Sequence, residues 1–310
     1  MRHTLVDQNG HWLTESCSTD NQACAVRFAT VDFIMSIPQS TTPDDIRILF
    51  RNPEFNFSGT PRFWANSPFT THFMNAFSVL IPSSERMVIE ILRDNLEGIS
   101  DTRLKEEIKG VIRQEGKHAA LHRHCNQRLI NAGYTAVSNF ERLVRWMETN
   151  LYRYSGRQFR LSMPAAFEHF TARMSREILS HQQFWTGDQD NAAVDFMVWH
   201  ALEELEHQAV CYDFYRALGG TQRRLFIFLW LCWVPLTMAS VYTIQLYFLH
   251  RDRVLYQPGN FRRYLRFLGS SLPLFLDNTT GYLRKGYRPW SHSTRALYDR
   301  QKLRWEKRSL

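Results

Sequence analysis

Two Glu-x-x-His motifs, Glu115-Gly116-Lys117-His118 and Glu204-Leu205-Glu206-His207, are the residues in this chain best placed to do chemistry. On an α-helix positions i and i+3 share a face, so each motif aims one carboxylate and one imidazole in the same direction. Each is half of a two-metal site. A bundle completes such a site with one further Glu from each of two other helices, all pointing inward. Glu168, in the stretch AAFEHF, is one candidate, because a lone carboxylate in apolar surroundings is costly unless paired or bound to metal. Glu85 is the other, with Glu90 as the alternative on the same helix. A Glu just after Ser83-Ser84 also suits the first turn of a helix for purely local reasons. His200 lies four residues before Glu204 and extends that stripe to His200, Glu204 and His207. His122 and His169 are candidates for hydrogen-bonding partners behind the ligands. Glu177, Glu203 and Glu206 are expected to face solvent or to anchor such hydrogen bonds, so that Glu203→Ala leaves the site filled, and Cys211 is expected in the core. Four carboxylates with two or three imidazoles make a hard, oxygen-rich shell, suited to iron or manganese and poorly suited to a structural zinc.

These side chains require helices, and the sequence supplies them. An apolar helical segment runs from about Pro68 to Leu80, where Pro82 is expected to interrupt it, and a helix capped by Ser83-Ser84 follows to about residue 97. A longer helix starts at Asp101-Thr102 and stops at Asn131-Ala132-Gly133. A helical connector covers about 138 to 153, and Pro164 is expected in the first turns of a segment from Ala165 to about Gln183. Another helix runs from about Ala192 to Leu218, before Gly219-Gly220.

The composition agrees. Fourteen Gly and eleven Pro in 310 residues are few, while 14% aromatic is high, so an all-α fold with a bulky core is expected. At 44% hydrophobic and 22% charged, disorder and collagen-like repeats are excluded. Cys17, Cys24, Cys125, Cys211 and Cys232 form no C-x-x-C pair and no disulfide framework. With no signal-like apolar stretch at the N-terminus, a cytoplasmic location is expected. Residues 225–249 carry no charge, and a helix of that length rises roughly 37 Å. Three readings stay open for it: a membrane span, a core helix bent at Pro235, and an apolar face lying on a membrane. Thr237, Ser240, Thr243 and Gln245 soften the run and favour the latter two. The net charge of +8 resides in the C-terminal residues 251–310, which hold 14 Lys/Arg against 4 Asp/Glu. An anionic membrane surface would answer such a tail. Tyr287, Trp290, Tyr298 and Trp305 interleave with its arginines, but no groove-reading motif accompanies them, so nucleic acid is not expected as a partner.

Taken together, TPRFWANSPFTTHFMNAFSVLIPSSERMVIE, IRQEGKHAALH, AAFEHFTA and HALEELEHQAVCYDFYRALGG resemble the ferritin-like di-iron carboxylate proteins. More closely they resemble a bacterial family known as predicted metal-dependent hydrolases, over about Arg27 to Gly220. The resemblance implies that Glu115 and Glu204 bridge two metals, while Glu85 with His118 and Glu168 with His207 complete the terminal shells. The arrangement around His200 is also similar to that of arylamine N-oxygenases, where the extra histidine joins the metal shell. The expected organisation is a flexible N-terminus over 1–24, a ferritin-like four-helix bundle over 25–220, and an apolar helix with a basic aromatic tail over 221–310, packed on the bundle or a membrane. The expected reaction is oxidation by dioxygen at two iron ions, with manganese as the alternative metal. A hydrophobic, lipid-like substrate and an electron-donor protein would take part, and a homodimer is admitted. Hydrolysis by metal-activated water ranks second, and a non-enzymatic ferroxidase or metal-binding protein third.

Overall fold

The computed structural model describes residues 4–6, 12–14, 40–187, 189–276 and 287–308. Within the N-terminal segment, β1 (Thr4–Val6) pairs antiparallel with β2 (Trp12–Thr14), Thr4 opposite Thr14. The rest of the flexible N-terminus expected over 1–24 lies outside the described residues, as do Cys17 and Cys24. From Pro38 onward the chain forms one compact unit, whose regular structure among the described residues is helical. The all-α class stands. In chain order the helices are α1 (Pro68–Asp94), α2 (Thr102–Asn131), α3 (Val137–Tyr154), α4 (Arg157–Ser180), α5 (Gln182–Trp185), α6 (Ala192–Ala217), α7 (Gln222–Phe228), α8 (Val234–Arg251), α9 (Asn260–Leu276) and α10 (His292–Arg308). Helix α1 packs along α2 and α4 along α6, and the two pairs close on each other through α2 with α6 and α1 with α4.

Helix α1 is continuous where the sequence pattern breaks it. Pro82 has no N–H to give to the carbonyl of Ser78, four residues back, and an orphaned buried carbonyl would normally end the helix there. Asn126 of α2 supplies the missing donor: its Nδ2 lies 2.9 Å from the Ser78 carbonyl oxygen. Ser83 and Ser84 are therefore not caps, and Glu85 stands in mid-helix. The true cap is Ser67, in a reciprocal capping box with Thr70. Replacing Asn126 by Ala should lower stability by about 2 kcal/mol, the cost of leaving such a carbonyl unpaired. A reduced urea midpoint would register it, and an unchanged midpoint would show that the carbonyl finds another donor.

Helix α4 also differs from expectation, starting at Arg157, so Pro164 lies inside it and Glu168 sits well away from its N-terminus. The expected ends of α2 hold. Asp101 caps it by accepting from Leu104 N–H at 3.1 Å, and Gly133 follows it in the left-handed region at φ 95°. The lead-in chain before α1 lies against α2 at Gly110, where a Cβ would come within 2.8 Å of Ile48. That close approach brings Arg51, three residues later, to the bundle.

The apolar run is a fifth long rod, α7 and α8 joined through a π turn at Leu229–Trp233 just before Pro235. Such a turn accommodates the break in the hydrogen-bond ladder that proline imposes. It is long and apolar enough to cross a membrane by composition. One face is packed on the bundle: Val241, Ile244 and Phe248 are buried, and Gln245 Nε2 donates to the Phe69 carbonyl at 2.9 Å. Beyond α8, Asp252 accepts from the Tyr134 hydroxyl at 2.7 Å and lies 3.0 Å from His72 Nε2. The opposite face exposes Ile227, Leu231, Leu236 and Leu246. Farther on, α10 packs on α4 and α6, which buries Tyr298 and leaves Trp290 and Trp305 half-buried against the core.

Candidate metal centre

The four long helices bring seven of the sequence's candidates to one buried point. Helix α1 contributes Glu85, α2 Glu115 and His118, α4 Glu168, and α6 His200, Glu204 and His207. Their ligand atoms form two groups, Glu85, His118, His200, Glu204 and Glu115, Glu168, Glu204, His207, within which all lie inside 4.8 Å of one another. Glu204 belongs to both. His207 Nδ1 is 2.7 Å from Glu115 Oε1 and 3.3 Å from Glu168 Oε2. His118 Nδ1 is 3.5 Å from Glu204 Oε1 and 3.7 Å from Glu115 Oε1. His200 Nε2 is 2.7 Å from Glu204 Oε1 and 3.8 Å from Glu85 Oε1.

The surroundings of each histidine decide which nitrogen faces the carboxylates with a lone pair. Gln114 Nε2 donates to the Leu49 carbonyl and to Glu206, so its Oε1 must accept from His207 Nε2–H, 2.6 Å away. His207 Nδ1 is then the free atom. Glu203 Oε2, 3.0 Å from His118 Nε2, likewise takes that proton and leaves His118 Nδ1 inward. A longer chain governs His200. Asn126 Nδ2 gives its hydrogens to the Ser78 carbonyl and Glu141, so Asn126 Oδ1 accepts the Ser78 hydroxyl proton. Ser78 Oγ must therefore accept from His122 Nδ1–H, and His122 Nε2 from His200 Nδ1–H, both at 2.9 Å. Burial, together with charge on His200 and His118, holds His122 well below its ordinary pKa and hence neutral, as this chain requires. All three imidazoles point a lone pair at carboxylate oxygens, an arrangement that only a cation or added protons can hold together.

The donor set fits cations. Both oxygens of Glu85, Glu115 and Glu168 and the Nδ1 atoms of His118 and His207 are buried without hydrogen-bond partners. Buried polar atoms in native proteins rarely stay unpaired, and here they face one another. Burial and the charge of Glu115 raise the Glu85 carboxyl well above the carboxylate range, and burial with Glu115 and Glu204 does the same to Glu168. Burial disfavours charge on His118 and His207, but the carboxylates around them win and hold both well above the ordinary imidazole value. Without metal the site thus keeps protons at neutral pH, and cations must displace them. Metal affinity should fall on acidification, and binding should release protons. Calorimetric titration with ferrous ion in buffers of different ionisation enthalpy checks this: the heat should track the buffer, and buffer-independent heat would contradict it.

For two glutamates the sequence leaves solvent and hydrogen bonding open. Glu203 and Glu206 are fully buried and share Arg51, which gives Nη1 to Glu203 and Nη2 to Glu206, both at 2.7 Å. Glu206 also accepts from Gln114 Nε2 at 3.1 Å and from the Tyr298 hydroxyl at 2.7 Å. The hydrogen-bonding alternative for these two glutamates is what the chain adopts. Since Glu203 holds His118, Glu203→Ala should weaken metal binding about 10- to 100-fold, an effect beyond the expectation of a site that merely stays filled. Equilibrium dialysis would read that loss.

Glu177 pairs with Arg173 and His181, both at 3.0 Å, and exposed Glu90 pairs with Arg86 at 3.0 Å. His169 is buried but lies outside both metal groups, 3.5 Å from the Tyr287 hydroxyl. Cys211 is in the core, as expected. Sequence reasoning missed Arg51, Gln114, Ser78, Asn126, Tyr298 and Thr171, whose hydroxyl donates to Glu204 Oε2. Thr171 follows Glu168 by three residues on the same helix face and Asn126 follows His122 by four, spacings that carried a signal. Arg51 and Tyr298 carried none.

Four long helices around a buried carboxylate and histidine cluster that can hold cations define a helical-bundle metalloprotein. The family model described as "Predicted metal-dependent hydrolase" matches residues 50–293, and the chain belongs to that family. The match takes in all seven clustered side chains and Arg51, and it ends before Tyr298. No curated protein and no solved structure matches the chain.

Proposed function

We propose that the protein is an oxidase or oxygenase that uses two iron ions, held by Glu85, Glu115, His118, Glu168, His200, Glu204 and His207, on a hydrophobic substrate. The observation that carries this reading is the join between a carboxylate-rich site and an apolar cavity. The cavity is lined by Met74, Phe77, Phe170, Met174 and Met197 and reaches His200, Glu204 and Thr171. Two ferrous ions in such a shell supply electrons for the reduction of dioxygen. The chain's own part is to neutralise the cations with four carboxylates, hold the imidazoles in one tautomer, and keep water from the substrate side. Thr171 holds Glu204 at the cavity edge. An electron-donor protein would restore the ferrous state.

The family description favours a second reading, metal-dependent hydrolysis, in which the same ions lower the pKa of water. The two readings part in one experiment. Protein loaded with iron, reduced without oxygen and freed of reductant should consume dioxygen when mixed with it. If it consumes none, and instead hydrolyses p-nitrophenyl esters in a manner abolished by Glu204→Ala, hydrolysis is the activity.

A membrane is the natural source of a hydrophobic substrate. The exposed Ile227, Leu231, Leu236 and Leu246 lie between exposed Arg223 and Arg224 at one end of the rod and Arg251 and Arg253 at the other. Apolar side chains rimmed by arginines suit the surface of an anionic bilayer. Flotation with phosphatidylglycerol vesicles at low salt should carry the protein upward, and phosphatidylcholine vesicles should carry less. No flotation with either removes the membrane from the proposal.

A further inference from the structure

A second, narrow cavity lies between α1, α3, α4 and α8. It shares Phe77, Ile81, Phe170 and Thr171 with the cavity at the metal edge. The rings of Phe77 and Phe170, 5.8 Å apart, stand at this common wall. The outer lining is apolar, with Val144, Met147, Phe167 and Trp233, apart from a few hydroxyls and one carboxyl group, Glu148. Glu148 comes from α3, which supplies none of the clustered side chains at the centre.

Glu148 is buried, 8% exposed. Its Oε1 accepts the Ser84 hydroxyl, and its Oε2 has no hydrogen-bond partner. Burial pushes the group up to about 7, against the Ser83 and Ser84 hydroxyls, which favour the ionised form. A carboxyl oxygen without a partner, on the wall of an apolar cavity, is a place where a ligand's donor would be strongly favoured over nothing.

We propose that the outer cavity binds a single-chain amphiphile, whose hydroxyl or ammonium head donates to Glu148 Oε2 while its alkyl chain passes Phe77 and Phe170 towards Glu204. This deepens the reading of the metal edge as the place where a hydrophobic substrate reacts, and it rests on that reading for the direction of the chain. The head group must be a donor, because a second anion beside Glu148 would meet a like charge in surroundings that screen poorly. Trp233 and Phe167 line the same cavity, and aromatic rings would favour a cationic head further.

Calorimetric titration of the metal-loaded protein with decylamine, 1-decanol and decanoate, each below its micelle concentration, tests this. Decylamine and 1-decanol should bind, and decanoate at least ten-fold more weakly. Glu148→Gln keeps the shape and should weaken decylamine at least ten-fold while largely sparing 1-decanol. Ser240→Phe fills the cavity from α8 and should abolish all three, with metal content unchanged in both variants. Equal binding of decanoate and decylamine to the wild type overturns the proposal, as does a Glu148→Gln protein of native metal content that binds decylamine as the wild type does. A wild type that takes up no metal on anaerobic loading with ferrous ion yet binds decylamine through Glu148 would uphold this site while removing the reading of the centre.

Discussion

Glu204→Ala is expected to empty both metal positions together, leaving less than a tenth of the wild-type metal content in protein of native helicity. Glu204 is the side chain common to both groups of ligand atoms, with Oε1 against His200 and His118 and Oε2 against Thr171. Its loss removes a shared carboxylate, and with it the geometry that draws His118 and His200 to one point. Two divalent cations held by adjoining groups would repel each other, and a carboxylate offered to both would offset that repulsion. His200→Ala, by contrast, touches one group and should spare the position formed by Glu115, Glu168 and His207. Elemental analysis of the purified variants reads both outcomes. A Glu204→Ala protein that retains its metal would show that the carboxylate is not shared.

Arg51→Ala should have the largest effect on stability, about 3 kcal/mol, because it removes the guanidinium that two buried carboxylates share. This lies at the low end of the range for breaking buried ion pairs, since the guanidinium is 25% exposed while Glu203 and Glu206 are fully covered. The damage should spread to the site. Glu203 holds His118, and Glu206 holds Gln114, which in turn holds His207. Metal affinity is therefore expected to fall about 10- to 100-fold as well. Arg51→Lys should recover only part of either loss, because one ammonium cannot reproduce a planar fork that serves two carboxylates. Urea unfolding of the metal-free and loaded forms checks both effects, and a change below 1 kcal/mol would mean that Glu203 and Glu206 are held by other groups.

What the sequence of the chain discloses by itself is local information. The spacing Glu-x-x-His, the Asp101 cap and the Gly133 and Gly219 stops are written within a few residues of one another, and α2 and α6 run nearly where these signals place them. The misreadings arose where a distant partner reverses a local rule. Pro82 reads as a break until Asn126, on another helix, is known to serve the Ser78 carbonyl. Glu203 and Glu206 stay undecided between solvent and hydrogen bonding until Arg51, more than 150 residues away in sequence, is seen to neutralise them. Periodicity also could not distinguish the partners of the apolar run, because a helix packed on one face and bare on the other has the composition of a span. Glu148 was invisible for a similar reason: on its own helix it is an ordinary polar residue, and only the packing of α1, α4 and α8 against α3 makes it a lone carboxyl in a cavity.

Metal counting coupled to X-ray absorption on the purified wild-type protein tests most directly whether seven side chains close around a pair of cations. Close to two iron ions per chain are expected, each surrounded only by oxygen and nitrogen ligands, with the second metal visible as a neighbour of the first. Protein that binds no metal on anaerobic loading with ferrous ion, or ions that stand isolated from each other or carry sulfur ligands, would contradict this expectation.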